Sequence, residues 1–270
     1  MNILGLYNDS LSYPSKDIDK LLTLGVLFFL DGIISLLPSI AIALNQTLAT
    51  QILYFISNII GIVVVLVAIG YTISIVKNTI VGSAMPSIKV IKNIVDGLKL
   101  FIISIIYYIM PFAIALIIAY FMGVLNSIVE LSLIYLNYGP EVASHIPNLG
   151  SLSFNMDLVI AGTVIVVFLF ILVTLVLIIA IARFADTNSV KSSLDIKEII
   201  NDIGKISWRK YLISLLLFLI ILLAIFIVTL VVSVIPFVGL IIFFLLLLPF
   251  MAIFSGRTLG LIYREGKDVI

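Results

Sequence analysis

The sequence predicts an all-α polytopic integral membrane protein: six transmembrane helices, N- and C-termini cytoplasmic, and two cytoplasmic amphipathic surface helices. Three observations carry this. The chain is 63% hydrophobic and 11% charged, with a mean hydropathy of +1.36, outside the range of water-soluble domains. Six apolar runs, 21–44, 52–76, 100–125, 158–182, 211–234 and 237–256, each reach the ~20 residues a helix needs to cross ~30 Å of hydrocarbon. Asp31 is the one charged residue inside any of them. Finally, the fifteen Lys and Arg residues occupy four alternating stretches. These are the N-terminal tail (Lys16, Lys20), the second connection (Lys77, Lys89, Lys92, Lys99), the fourth (Arg183, Lys191, Lys197, Lys205, Arg209, Lys210) and the C-terminal tail (Arg257, Arg264, Lys267). Cytoplasmic loops retain an excess of Lys and Arg, which sets the orientation. A β-barrel is excluded, because its strands would alternate apolar and polar residues.

Residues 1–20 read as a short polar tail, with Tyr13-Pro14-Ser15 as a break before a helix that starts near Asp17. No cleavable signal peptide is visible, so the first span is expected to remain in the mature protein. Gly25, Asp31, Gly32 and Pro38 make that span the least regular of the six. In 87–98, Ile88, Ile91, Ile94, Val95 and Leu98 recur at helical spacing. In 195–206, Ile196, Ile199, Ile200 and Ile203 follow i, i+3, i+4, i+7, with Asp195 and Glu198 in the form of an N-terminal cap. Both segments read as amphipathic helices at the inner membrane surface, with Ile91 and Ile199 shielded from water. Their similar placement and the pair Ile88-Lys89-Val90-Ile91 and Ile196-Lys197-Glu198-Ile199 suggest a parallel internal repeat of span, surface helix, span. The third connection, 126–157, reads as an outer interfacial helix ended by Gly139-Pro140, then a loop holding His145, Pro147 and Gly150. Ile235 to Gly239 reads as a tight outer turn. The whole chain, 1–270, reads as one membrane domain.

Little in the sequence points to catalysis. A single histidine, His145, leaves no His-pair metal site or HExxH motif, and the absence of cysteine removes thiol chemistry and Cys-based metal sites. There is no phosphate-binding glycine loop, no GxSxG and no paired carboxylate within one span. No catalytic, cofactor-binding or metal-binding residues are therefore assigned, and no cofactor is expected. Asp31 is the sharpest functional candidate, since a charge in hydrocarbon costs several kcal/mol unless paired, hydrated or neutralised. It reads either as a proton- or ion-binding carboxylate or as a protonated group hydrogen-bonded across helices. Arg183, Arg257 and Arg264, with Arg209 and Lys210, fall at the level of the inner headgroups. They read as anchors or as an anionic-lipid pocket. Pro111 with Tyr107, Tyr108 and Tyr120 reads as a kink and packing interface or the wall of a cavity, and Gly256 to Gly260 has GxxxG spacing suited to helix packing.

Several short motifs, in order, resemble one family. They are Tyr13-Pro14, Gly70-Tyr71, Gly82 with Met85-Pro86, Asp96-Gly97-Leu98-Lys99, and Tyr108 with Pro111. The second half adds Arg183-Phe184-Ala185, Leu194-Asp195-Ile196, Trp208 with Tyr211, and Gly260 through Glu265. Together they look like the domain of unknown function 4013, a family of archaeal and bacterial multi-pass membrane proteins. The resemblance implies a prokaryotic cytoplasmic-membrane protein, with archaea the expected source, and carries over no catalytic or binding residue. Asp31 falls where that family is expected to have small or apolar residues.

The sequence thus leads to a non-enzymatic membrane-organising or accessory subunit whose partners are membrane lipids and other proteins of the same bilayer, with no nucleic acid, since a net charge of +1 leaves no basic stripe outside the membrane flanks. The alternative is a transporter of a lipidic or apolar substrate. A transporter should show a cavity faced by Asp31, Ser35 or Tyr108; a scaffold should show a closed bundle.

Overall fold

The computed structural model describes residues 2–82, 84–138 and 156–267. The described elements are helical throughout. In chain order they are α1 (Ile3–Ser12), α2 (Ile18–Ala43), α3 (Thr47–Val81), α4 (Val90–Phe121), α5 (Val124–Tyr138), α6 (Met156–Thr187), α7 (Val190–Ser193), α8 (Ile196–Ile206), α9 (Trp208–Ser233), α10 (Val238–Ile242) and α11 (Leu248–Lys267). One π turn, Phe243–Leu247, joins α10 to α11 into a single rod. Six of these helices, α2, α3, α4, α6, α9 and the α10–α11 rod, are long and apolar enough to cross a membrane. They coincide with the six apolar runs. Large apolar side chains such as Leu36, Phe55, Ile62 and Leu219 lie exposed along them, as expected where lipid is the solvent.

Local chemistry sets the ends. The Asp17 carboxylate accepts the Lys20 backbone N–H at 3.2 Å and starts α2. Gly82, at φ +80°, closes α3 with its N–H on Thr79 and Asn78 carbonyls. Asp195 caps α8 through the Glu198 N–H at 3.2 Å. Ser207, at φ +76°, then turns the chain into α9.

The chain divides into two compact units, 1–103 with 178–270 and 104–177. In the first, α11 and α2 both pack along α3, while α1 and α8 pack on α11. GxxxG spacing explains the first contact: a Cβ on Gly256 would lie 3.0 Å from the Thr72 carbonyl oxygen, and one on Gly260 would lie 2.5 Å from the Thr79 side chain. Gly70 and Gly97 bring α3 against the start of α4, since a Cβ on either would strike the other helix's backbone at Asn93 or Leu66. Tyr13, Leu24, Tyr71, Ile75, Met85 and Ile253 form the core at the end of this unit that carries the basic connections. In the second unit, the Tyr108 hydroxyl and Thr174 Oγ1 are 2.9 Å apart, and the Tyr108 ring stacks on Phe170. Tyr108 thus serves packing.

The structure corrects four expectations. The polar tail contains a helix, α1, fixed by the buried Leu6 and Tyr7. The first span is one unbroken helix; Gly25 and Gly32 are notches for Leu245 and Phe244 of the π turn, which is where irregularity resides. Residues 90–98 continue straight into the third apolar run, so no separate surface helix forms there, and no described part of the protein covers Ile91, which is 81% exposed. With α8 separate and its counterpart fused, the repeat loses its correspondence. On α8 itself Ile199, Ile203 and Ile206 are buried, whereas Ile196 and Ile200 are exposed. The covered face is rotated toward α11 and takes Asp202 with it. A helix does follow the third run, but Gly123 (φ +76°) separates α5 from α4. The loop at His145, Pro147 and Gly150 lies outside the described residues.

Candidate functional site

Charge is gathered at the basic end of the first unit, and most of it is paired. Arg257 projects from α11 to α1, where its Nε and Nη2 donate to Asp9 Oδ2 at 2.8 and 2.5 Å. Its guanidinium lies 4.4 Å from the centre of the Tyr13 ring, and Nη1 reaches Thr79 Oγ1 at 3.4 Å. Lys16 donates to the other Asp9 oxygen at 2.7 Å. Burial works against ionisation of Asp9, yet the hydrogen bonds from Lys16 and Arg257 win and hold its carboxyl below the ordinary carboxylate range. Burial pushes the Tyr13 hydroxyl up, against the pull of the Arg257 charge. The Tyr7 hydroxyl donates to the Ser214 carbonyl, tying α1 to α9 as well.

Arg183 makes a second tie. Its Nη1 donates to Asp202 Oδ2 at 2.5 Å, and Nε donates to Ser192 Oγ at 3.0 Å. The Tyr263 hydroxyl donates to the same Asp202 oxygen at 3.3 Å, and Lys205 lies 3.4 Å from the other. This explains why an acidic side chain on α8 faces inward. Lys210 pairs with Glu265, and Lys267 with Asp186 at 2.5 Å. Arg264 reaches the α3 terminus, its Nη1 3.4 Å from where a Cβ on Gly82 would sit. The structure does not bring Arg183, Arg257 and Arg264 into one pocket. Two of them are fasteners between different segments.

Asp31 stands elsewhere, on a groove of about 430 Å³ between α2 and the α10–π-turn segment. Phe29, Gly32, Ser35, Phe237 and Phe244 line it with Asp31. Its Oδ1 is buried without a hydrogen-bond partner, and the missing side chain of Gly61 on α3 leaves room for it. A separate apolar cavity of about 280 Å³ is lined by Thr72, Leu100, Ile178, Leu215 and Thr258. Among the described residues, no cluster of three His, Cys, Asp or Glu side chains is arranged for a metal ion.

Sequence reasoning used Lys77, Lys89, Lys92 and Lys99 only as topology markers. The first three in fact share a crevice with Asn93. The signal available was Asn93 itself, a polar residue in the helical register of the basic face.

A family model described as "Protein of unknown function (DUF4013)" matches residues 52–237, more than half of the chain. Arg183 and the lysine crevice lie inside the match, whereas Asp31, Arg257 and Arg264 lie outside it. No curated protein and no solved structure matches.

Proposed function

The chain belongs to the DUF4013 family, and from that premise we propose that it is a non-enzymatic accessory protein that organises or supports components of a membrane. The reading takes the six long apolar helices as spans. It puts both termini and the basic connections in the cytoplasm by the positive-inside rule, and the protein in the cytoplasmic membrane. One observation carries it: the strongest cations, Arg183 and Arg257, are spent on Asp202 and Asp9. Charge used to fasten helices to one another is withdrawn from any reactant.

A second reading, transport of a lipidic or apolar substrate, is favoured by the groove that Asp31 and Ser35 face. Liposomes separate the two. Purified protein is reconstituted around a pH-sensitive dye, and a pH step is imposed. The accessory reading expects wild type and Asp31→Asn to leak no faster than protein-free vesicles. A pH-dependent flux that Asp31→Asn abolishes, with the protein still folded, would replace it by the transport reading.

A further inference from the structure

We propose that the crevice between the basic ends of α3 and α4 binds a phosphate-bearing anion. The crevice encloses about 270 Å³. Lys77 comes from the last turns of α3, Lys89 from the residue before α4 and Lys92 from its first turn, and Ser74, Ser87 and Asn93 complete the wall. Most other cations at this end of the protein meet carboxylates: Lys16, Lys20, Lys99, Arg183, Lys205, Lys210, Arg257 and Lys267 all do. Among the described residues no acidic side chain pairs with Lys77, Lys89 or Lys92. Three like charges around one small space repel each other unless an anion joins them.

Asn93 supplies an independent observation. It is only 1% exposed, and its Nδ2 has no hydrogen-bond partner although Oδ1 accepts from Ser74 Oγ at 3.4 Å. A buried amide donor without an acceptor is a costly arrangement that native proteins rarely keep without a reason. Gly70 fixes it there, because any side chain at that position would collide with the Asn93 backbone. An oxyanion in the crevice would accept from this amide.

The donor set defines the ligand. Three ammonium groups, one amide N–H₂ and the Ser87 hydroxyl offer many donors and no negative charge, which suits the several acceptor oxygens of a phosphate ester. The volume admits a headgroup or a small phosphate compound and excludes a polymer. An adjoining cavity of about 290 Å³ shares Ser74, Lys77 and Lys92, and there Asp96 sits 3.9 Å from Lys99. Asp96, the one carboxylate among the described residues lining either cavity, thus pairs with a fourth lysine. The apolar run of α3 ends at Val76, immediately before Lys77, so a phosphate here would lie where headgroups begin. The phosphate could belong to a lipid or to a soluble ester.

Full-length protein in a neutral detergent, followed by thermal unfolding, distinguishes these sources. The probes are short-chain phosphatidylglycerol, short-chain phosphatidylcholine, and sodium phosphate or glycerol phosphate at matched ionic strength. The test variant is Lys77→Gln/Lys89→Gln/Lys92→Gln. The control, Lys191→Gln/Lys197→Gln/Arg209→Gln, makes the same charge change at exposed positions outside the crevice. Wild type and control should be stabilised by an anionic phosphate ligand, with the crevice variant about a hundredfold weaker, at roughly fivefold per lysine. Stabilisation by phosphatidylglycerol alone identifies a lipid headgroup; an equal effect of free phosphate or glycerol phosphate identifies a soluble ester. The inference is overturned if wild type and crevice variant respond alike, if the control loses the response as fully, or if no phosphate probe stabilises wild type.

Discussion

Replacing Arg257 by Met keeps the length of the side chain and removes a guanidinium that engages Asp9, Tyr13 and Thr79 together. The magnitude follows from how wet these contacts are. Breaking a fully buried ion pair costs about 3–5 kcal/mol, whereas exposed pairs contribute about 0–1 kcal/mol. Arg257 and Asp9 side chains are 14% and 27% exposed, which puts their pair between these limits, near ~2 kcal/mol. The contact with the Tyr13 ring adds ~0.5–1 kcal/mol. The expected loss is therefore about 2–3 kcal/mol in the unfolding free energy, together with faster proteolysis within α1. A cycle with Asp9→Asn isolates the pair: chemical unfolding in detergent should return a coupling of ~1–2 kcal/mol, well beyond the ~0.3–0.5 kcal/mol scatter of independent sites. Acid supplies a further readout. The Asp9 carboxyl is held below its ordinary value of 3.8, so its contribution is present above pH ~4 and is lost as pH falls through the lower folded value. The advantage of wild type over Arg257→Met should shrink below pH ~4. Additive single losses, or an advantage unchanged in acid, would refute the assignment of Arg257 as the tie between α11 and α1.

Gly70→Val should force α3 and α4 apart, since even a Cβ there lies 1.8 Å from the Asn93 carbonyl oxygen; a loss of at least ~1–3 kcal/mol is expected by thermal unfolding, and wild-type stability would count against the close crossing. Ile199→Asp buries a carboxylate at a position with no exposure and should cost ~3 kcal/mol or more, while Ile91→Asp, on an 81% exposed residue, should cost far less; equal losses would contradict the assigned faces. The chain has no cysteine, so single cysteines report topology directly: in intact cells Gln46→Cys should react with an impermeant thiol reagent and Ser87→Cys should not, and the reverse pattern would invert the orientation.

The six long helices were legible because hydrocarbon imposes a length and an almost complete exclusion of charge, and both are visible in a linear string. Helix α1 was not. Its ten residues carry Asn8, Asp9 and Ser10 among Leu6 and Tyr7, and its stability comes from Ser214 and Arg257, more than two hundred positions away. The periodicity of 87–98 was real but silent on continuity: Gly97 resembles a helix stop, yet it is a notch for the Leu66 backbone. On α8 the sequence offered the correct helix and half of its covered face: Ile199 and Ile203 are buried, but Ile196 and Ile200 are exposed and Asp202 is turned inward by Arg183 and Tyr263, partners the local pattern does not contain. Asp31 was found by composition alone. The lysine crevice was hidden because its residues read as a topology signal, and the burial of Asn93 depends on a glycine in another helix.

The π turn at Phe243–Leu247 acts as a phase shifter in the last rod. One surplus residue advances an α-helix by about 100°, so the two stretches it joins can obey different neighbours. Within it, Phe244 and Leu245 meet the glycine notches of α2; beyond it, Gly256 and Gly260 meet α3. A regular α-helix of the full sequence could align one of these faces but would swing the other away by roughly a quarter of a turn. The rod is therefore intolerant of single-residue deletions between Leu247 and Gly256, even where the deleted side chain touches nothing. Such a deletion would rotate Arg257 away from Asp9 without altering either residue.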